Sequence, residues 1–409
     1  MAPSMYFEDS FASGGYGAGW VPSRQYLGVK ASVVRRYDER GSSGAGERDS
    51  GAATESGETF VLGFEDADLG QDAIGVVSLR SGDDLAAGGG SGGSGGEAAA
   101  PALKWQRTWA LEGKVTCLEV SETEIWAGSV TGDVCRIGRA GGDGGGAGGT
   151  DMDVDSAEDD DSAYRCDRVH RGVVSSVGVN AETGQVLSAG YDGKIFFHRL
   201  DSAEKVLHHD SGSGATSFSC GTWLSGTTFV TGSLGEQGAL LTWDARAKGR
   251  AGPALSLRSE VTGGYLCVDK VPTRPHLCVC GHEGHVSLWD LRSGKDPFQT
   301  YAVGKSHMVW EVRGVRPEGD REVRALFCDS AGVLGLTGAS HGDGDGDGDG
   351  DGPKDSTREG EGFTCIHQEP SGVTSFDHLR QRGSVVCVTE EEGLVRVTEN
   401  QETGYGGFI

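Results

Sequence analysis

Short apolar runs recur along most of this chain, each of strand length and each closed by glycine, proline or charged residues. Val115 to Val120, Ile125 to Ser129 and Val134 to Ile137 alternate apolar and polar positions, with Gly132-Asp133 between the last two. A period of two marks half-buried strands, because successive side chains point to opposite faces of a sheet. The same order of run, run, tight turn, run follows at Val173–Val179, Gln185–Gly190, Asp192-Gly193 and Lys194–His198. It follows again over 215–243, 266–289, 308–336 and 373–397. Upstream the pattern is looser. Thr59–Gly63 and Ile74–Leu79 read as two strands, and Gln25–Tyr37 as one or two more.

The turn glycines decide how these units assemble. Gly132, Gly193, Gly238, Gly284, Gly332 and Gly393 lie 61, 45, 46, 48 and 61 residues apart. The middle intervals fit the WD-repeat period of roughly 40–45 residues. The long ones contain Gly- and acid-rich tracts at 140–162 and 341–362, and removing those leaves 38 and 39 residues. Trp243-Asp244 and Trp289-Asp290 close two successive units with the dipeptide that ends WD blades. Six regular units plus a degenerate one at 58–79 predict an all-β fold, a single seven-bladed WD-repeat β-propeller. One blade cannot bury both its faces, so the blades must stack radially. An open ring would leave a sheet edge unpaired, and Gln25–Tyr37 is the expected closing strand. The expected layout is an irregular segment over 1–24, the propeller over 25–400 and a tail over 401–409. Flexible insertions are expected near 38–57, 81–100, 140–162 and 341–362.

Composition changes this picture little. The 71 glycines concentrate in the low-complexity tracts, and the net charge of −25 is carried in large part by the two acidic ones. A negative body argues against direct binding to nucleic acid. No run approaches the ~20 apolar residues that a membrane helix needs, so no membrane insertion is expected. The N-terminal MAPSMYFEDSF lacks the basic and apolar regions of a secretory signal. The ten cysteines show no Cys-x-x-Cys pairing, and several sit inside strand runs, where a thiol acts as a small hydrophobe. A cytosolic or nuclear chain with reduced thiols is expected.

Candidate chemistry reduces to a few positions. Trp243 and Trp289 are expected to fill space between blades, while Asp244 and Asp290 accept backbone hydrogen bonds at turns. Arg246 and Arg292 complete two Trp-Asp-x-Arg motifs, an arrangement similar to the adaptor-binding motif of cullin ubiquitin ligase substrate receptors. Asp192 and Glu283 stand where a blade places its turn acid, and His170 and His307 precede inner strands, where a histidine bonds such an acid. No nucleophile elbow or comparable constellation accompanies them, so no catalytic residue is expected. The tract from His341 to Gly352 alternates Asp and Gly but lacks the position-12 glutamate of a calcium loop. Neither it nor the glycine tracts at 87–96 and 141–149 predicts a metal or cofactor site. The acidic run Asp151–Asp161 reads as a solvated charge block.

Several stretches, taken in order, carry a family resemblance. QVLSAGYDGKIFFHRL (185–200), FVTGSLGEQGALLTWDAR (229–246), LCVCGHEGHVSLWDLRSGKDP (277–297), HMVWEV (307–312), GVTSFD (372–377) and SVVCVTEEEGLVRVT (384–398) together resemble the forty-three-kilodalton family of WD-repeat nucleoporins. Leu336 departs from it, standing where the family has Trp, as do the acidic and glycine-rich insertions. The resemblance implies a non-catalytic scaffold in the Y-shaped outer-ring complex of the nuclear pore, at the nuclear envelope. The implied partners are other nucleoporins of that complex, among them an α-helical scaffold nucleoporin of the short arm. The implied role is support of protein and mRNA transport. Trp310 and Glu311, in the most family-specific segment, join Arg246 and Arg292 as candidate partner contacts.

Overall fold

The computed structural model describes residues 20–27, 29–37, 58–66, 70–79, 103–138, 164–200, 202–212, 216–234, 238–247, 252–258, 264–272, 274–292, 296–315, 323–338, 362–379, 384–391 and 393–399. The four expected insertions, apart from Gly362, and the tail over 401–409 lie outside these residues.

Seven four-stranded antiparallel sheets stand side by side in a ring, and in six of them the strands run in chain order from the centre outward, while the seventh takes its outermost strand from the start of the chain. Blade 1 holds β2–β5 (Lys30–Arg36, Glu58–Asp66, Gln71–Leu79, Leu103–Leu111), and blade 2 holds β6–β9 (Val115–Val120, Glu124–Ser129, Asp133–Gly138, Tyr164–Arg168). Blade 3 holds β10–β13 (Val174–Asn180, Gln185–Gly190, Lys194–Arg199, Lys205–Asp210). Blade 4 holds β14–β17 (Phe218–Trp223, Thr228–Ser233, Leu240–Asp244, Leu255–Leu257). Blade 5 holds β18–β21 (Cys267–Val271, Arg274–Gly281, His285–Asp290, Gln299–Ala302). Blade 6 holds β22–β25 (Val309–Val315, Arg324–Asp329, Val333–Thr337, Phe363–Gln368). Blade 7 holds β26–β28 (Val373–Leu379, Ser384–Thr389, Gly393–Glu399), completed by β1 (Trp20–Tyr26).

Burial explains which strands the sequence reveals. β7, β23 and β27 are buried at every position, because both faces of a blade's second strand are covered by neighbouring blades. The outermost strands face solvent along much of their length; β13 is exposed at Lys205, Val206, Leu207 and Asp210. Their mixed polarity hides them, so the fourth strand of each unit escapes a reading based on apolar runs. Between blades the cores are aromatic: Phe197, Trp223, Phe229 and Trp243 form one cluster, and Tyr265 packs with Trp289 in the next.

Closure differs from expectation in one respect. β1 begins at Trp20, inside the segment expected to be irregular, and pairs with β28 from Trp20↔Glu399 to Tyr26↔Gly393. The Gln25–Tyr37 region is divided: its first two residues end the closing strand, and Lys30–Arg36 forms the inner strand of blade 1. Pro22 is tolerated because β1 is an outer strand, where a missing N–H need not break a ladder. The thiols also depart from expectation. Cys135 and Cys166 lie directly opposite in the β8–β9 ladder and are joined as a disulfide. Register alone brings them together, and the intervening insertion conceals that register in the sequence.

Since the strands alternate in direction, the connections sort onto two faces. Second-to-third-strand turns and the links from one blade to the next share one, here the tight-turn face; its links include 130–132, 191–193, 282–284 and 330–332. First-to-second and third-to-fourth connections share the other, the long-connection face, where the described chain breaks off after Tyr37, Leu79, Gly138 and Gly338. The chain enters β1 and leaves β28 on that same side. Gly132, Gly193, Gly284 and Gly332 adopt left-handed φ of 97°, 72°, 78° and 86° in the tight turns. Gly238 and Gly393 do not; Gly393 instead opens β28.

Candidate functional site

Blade 3 contains a relay of four side chains. His170 Nδ1 lies 2.9 Å from Asp192 Oδ1, its Nε2 lies 3.0 Å from Ser188 Oγ, and Ser188 Oγ lies 2.9 Å from His198 Nε2. A carboxylate can only accept, so His170 donates to Asp192 and accepts from Ser188, which in turn accepts from His198. Burial pushes the Asp192 carboxyl up, but hydrogen bonds from His170 and the Arg171 and Lys194 amides outweigh it and hold the group below its ordinary range. Burial also pushes His198 down to about 4. The order Ser–His–Asp is that of a hydrolytic triad. Ser188 is nevertheless fully buried and carries a second imidazole on its oxygen, and it lines neither the central channel nor the small cleft beside His198. The relay crosses the blade and fixes its turn.

Other blades hold parts of the same network. Trp243 Nε1 donates to Thr231 Oγ1 at 2.9 Å, and Trp289 Nε1 donates to Ser287 Oγ at 3.1 Å, with His282 on the same hydroxyl at 2.7 Å. His307 bonds Asp329 at 3.0 Å, and Asp329 accepts the amides of Ala331 and Val333, each at 2.9 Å. Asp329 therefore fills the role expected of a turn acid. Glu283 does not: it is exposed, and its turn is held by backbone bonds such as Gly284 N–H to the His307 carbonyl at 2.7 Å.

The two Trp-Asp-x-Arg motifs lie on the long-connection face of adjacent blades. Asp244 and Asp290 each accept a backbone N–H from the arginine two residues on, at 2.9 Å in both cases. The guanidiniums of Arg246 and Arg292 grip the same carboxylates with two bonds each, and these contacts hold both aspartates down to about 2. The arginine side chains remain 73% and 67% exposed.

The seven inner strands surround a channel of about 580 Å³. In six of them the ladder shifts register at the second or third position, a bulge occupied by Ser32, Thr116, Ser175, Ser219, Trp310 and Thr374. Four of the hydroxyls reach across to the next blade: Ser32 to the Val115 carbonyl (2.8 Å), Thr116 to Val174, Ser219 to Tyr265 and Thr374 to Ala31 (3.4 Å). These staples were not expected from the sequence, although the repeated hydroxyl in VTC, VSS, FSC, VTS and ASV was there to be read. Trp310 replaces the hydroxyl with a bulky ring, 41% exposed at the tight-turn mouth of the channel.

Glu311, the next residue, turns into the ring rather than toward a partner. Its carboxylate receives Arg35 at 2.8 Å, Arg313 at 2.9 Å, Ser375 Oγ at 2.6 Å and Phe376 N–H at 3.2 Å, joining blades 1, 6 and 7. Burial alone would lower Arg313, but Glu311, Asp269, Asp377 and Glu119 around it prevail and hold it above its ordinary range. Burial raises Glu119 and Asp269, with Arg313 opposing in both cases. Cys117 and Cys220 are pushed by burial to about 12, which keeps them unreactive thiols. Among the described residues, no group of three His, Cys, Asp or Glu side chains is arranged to hold a metal, and no helix is long and apolar enough to cross a membrane.

No protein-family model matches the chain. It is similar to Nucleoporin Nup43 of Mus musculus and to Nucleoporin Nup43 of Homo sapiens, at 30% identity over 139 residues in each case. The similarity covers 33% of this chain and 35% of each relative, so it spans about a third of the relatives' length.

Proposed function

We propose that the chain is a non-catalytic scaffold subunit of the nuclear pore, located at the nuclear envelope within the Y-shaped outer-ring complex. In this reading it docks onto an α-helical nucleoporin of the short arm and supports protein and mRNA transport. The observation that carries the reading is the similarity to Nucleoporin Nup43 in a chain that folds as a seven-bladed ring. The chemistry of the ring is consistent with it, because Asp192, His170, Ser188 and Asp329 are committed to fixing the turns of their blades and Glu311 to joining three blades. A rigid disc then offers faces rather than a reaction centre. The test is a fluorescent fusion at native expression, with purification of its stable partners. A rim signal and stoichiometric outer-ring nucleoporins are expected; a diffuse signal without them refutes the proposal.

A second reading is favoured by one feature: Arg246 and Arg292 are exposed on the same face of adjacent blades. That display suits a substrate receptor of a cullin-type ubiquitin ligase. Recovery of the ligase adaptor, lost on Arg246→Ala with Arg292→Ala, is its signature.

A further inference from the structure

Cys135 and Cys166 face each other across the β8–β9 ladder, between the pairs Asp133↔Arg168 and Ile137↔Tyr164. The two ends of their disulfide stand in different surroundings. Cys135 is fully buried and belongs to one apolar cluster with Val61, Ile74 and Leu118, at the seam between blades 1 and 2. Cys166 lies on the outermost strand of blade 2 and is exposed. The other eight cysteines form no disulfide and are buried or half-buried. Burial lifts the thiols of Cys267, Cys280 and Cys328 well above their ordinary range, as it does those of Cys117 and Cys220. The thiolate is the reacting form, so thiol chemistry on this chain converges on Cys166.

The ladder holds both sulfurs side by side in either oxidation state, because paired residues on each side fix the register. The bond therefore opens and closes without rebuilding the blade. At the nuclear envelope, where the reading above places the chain, small thiols keep cysteines reduced. A disulfide in such a compartment is characteristically a transient, redox-sensing one. Its state bears on β9, an outer strand whose Tyr164 hydroxyl donates to the Ala110 carbonyl of blade 1 at 3.0 Å. The disulfide closes a covalent loop of sequence separation 31 between β8 and β9. That closure removes chain entropy from the detached state of β9, so the strand is held when the pair is oxidised and opens more readily when it is reduced.

We propose that Cys135–Cys166 is a reversible redox staple, worked through Cys166 by a small thiol of the glutathione class, that sets how firmly the outer strand of blade 2 is held. An external thiolate attacks Cys166 Sγ and the S–S bond breaks. Its electron pair leaves on Cys135 Sγ, which takes a proton, and a mixed disulfide remains on Cys166. A second thiolate attacks the sulfur of the small thiol in that adduct and releases Cys166 as a thiolate. Two small thiols are thereby oxidised to their disulfide while the protein disulfide is reduced to two thiols; the same steps reversed close the staple. The proposal takes its compartment from the nuclear-pore reading, but the chemistry does not depend on which assembly the chain joins.

The test equilibrates the purified full-length chain in a series of reduced-to-oxidised glutathione ratios that brackets the cellular one. Samples are quenched with an alkylating reagent and read by peptide mass spectrometry. The pair is expected to pass from dithiol to disulfide within the series as a single two-electron step. In Cys135→Ser, oxidised glutathione should leave its mixed disulfide on Cys166; in Cys166→Ser none should form on Cys135. In the parent chain, amide exchange over 164–168 should be about ten-fold slower or more in the oxidised form. A pair that stays fully reduced or fully oxidised across the series, an adduct on Cys135, or equal exchange in the two forms each overturns the proposal. Titration and exchange use the parent chain, so a variant that fails to fold does not shield the proposal. Both are measured outside the cell: their failure refutes the staple alone, and loss of the nuclear-rim signal refutes the pore assignment alone.

Discussion

Gly332 and Gly184 both hold left-handed backbone, at φ of 86° and 65°, on opposite sides of the ring. A Cβ on Gly332 would collide with the carbonyl oxygens of Glu369 and Ser371, whereas a Cβ on Gly184 would meet nothing within 4 Å. On the tight-turn face each turn is capped by the link leading into the next blade, so backbone presses on backbone. On the long-connection face Gly184 closes a short turn that no neighbouring backbone overlies, and the same conformation carries only its intrinsic strain. Stability is thus built into one side, and the other is left open to variation in length.

The sharpest test of this contrast is the glycine pair. Gly332→Ala combines left-handed strain with a backbone collision and should lower unfolding free energy by about 4 kcal/mol or more, whereas Gly184→Ala should cost about 1 kcal/mol. Urea denaturation of both variants decides it, and equal losses would erase the distinction between the faces. The next effect concerns the channel below the tight turns. Glu311→Ala leaves Arg35 and Arg313 without their shared carboxylate and should cost about 3 kcal/mol by the same measurement.

A smaller effect follows from the relay that crosses blade 3. His198 and His282 titrate near 4 and 3 in the fold, both through burial, against 6.5 when unfolded. The folded state excludes a proton that the unfolded chain binds, so stability is complete above pH 6.5 and falls as pH drops toward 4. The raised Glu119 and Asp269 work in the opposite sense, favouring the fold at low pH. His198→Asn keeps a donor for Ser188 and should flatten the melting-temperature loss between pH 7 and pH 5 relative to the parent chain. An unchanged slope would assign the loss to other groups. The smallest effect lies on the open side: Arg246→Ala and Arg292→Ala should leave the urea midpoint within error, because both guanidiniums face solvent.

The parts legible in the sequence are those where the ring repeats itself. Buried strands such as Arg324–Asp329 and left-handed glycines such as Gly193 recur in the same order in successive repeats because each blade solves the same packing problem. Trp243 and Trp289 stand out for the same reason. Three things were hidden. Outer strands such as Lys205–Asp210 lack an apolar run because water covers one side. The Cys135–Cys166 pairing depends on a register that a long insertion disguises. The commitment of Glu311 to Arg35 joins residues far apart in the chain, and no local pattern announces it.

The pairing of Trp20–Tyr26 with Gly393–Glu399 sets the order of events during synthesis. Of the ring's strands, the one translated first bonds to the one translated last, so a nascent chain carries an unmatched edge through the making of every other blade. Until residue 399 has left the ribosome, β1 lacks the strand it pairs with, and its open ladder can accept any extended segment nearby. Occupancy of that edge by a chaperone, or by the N-terminal strand of a neighbouring nascent chain, is therefore a decision point in the biogenesis of the ring.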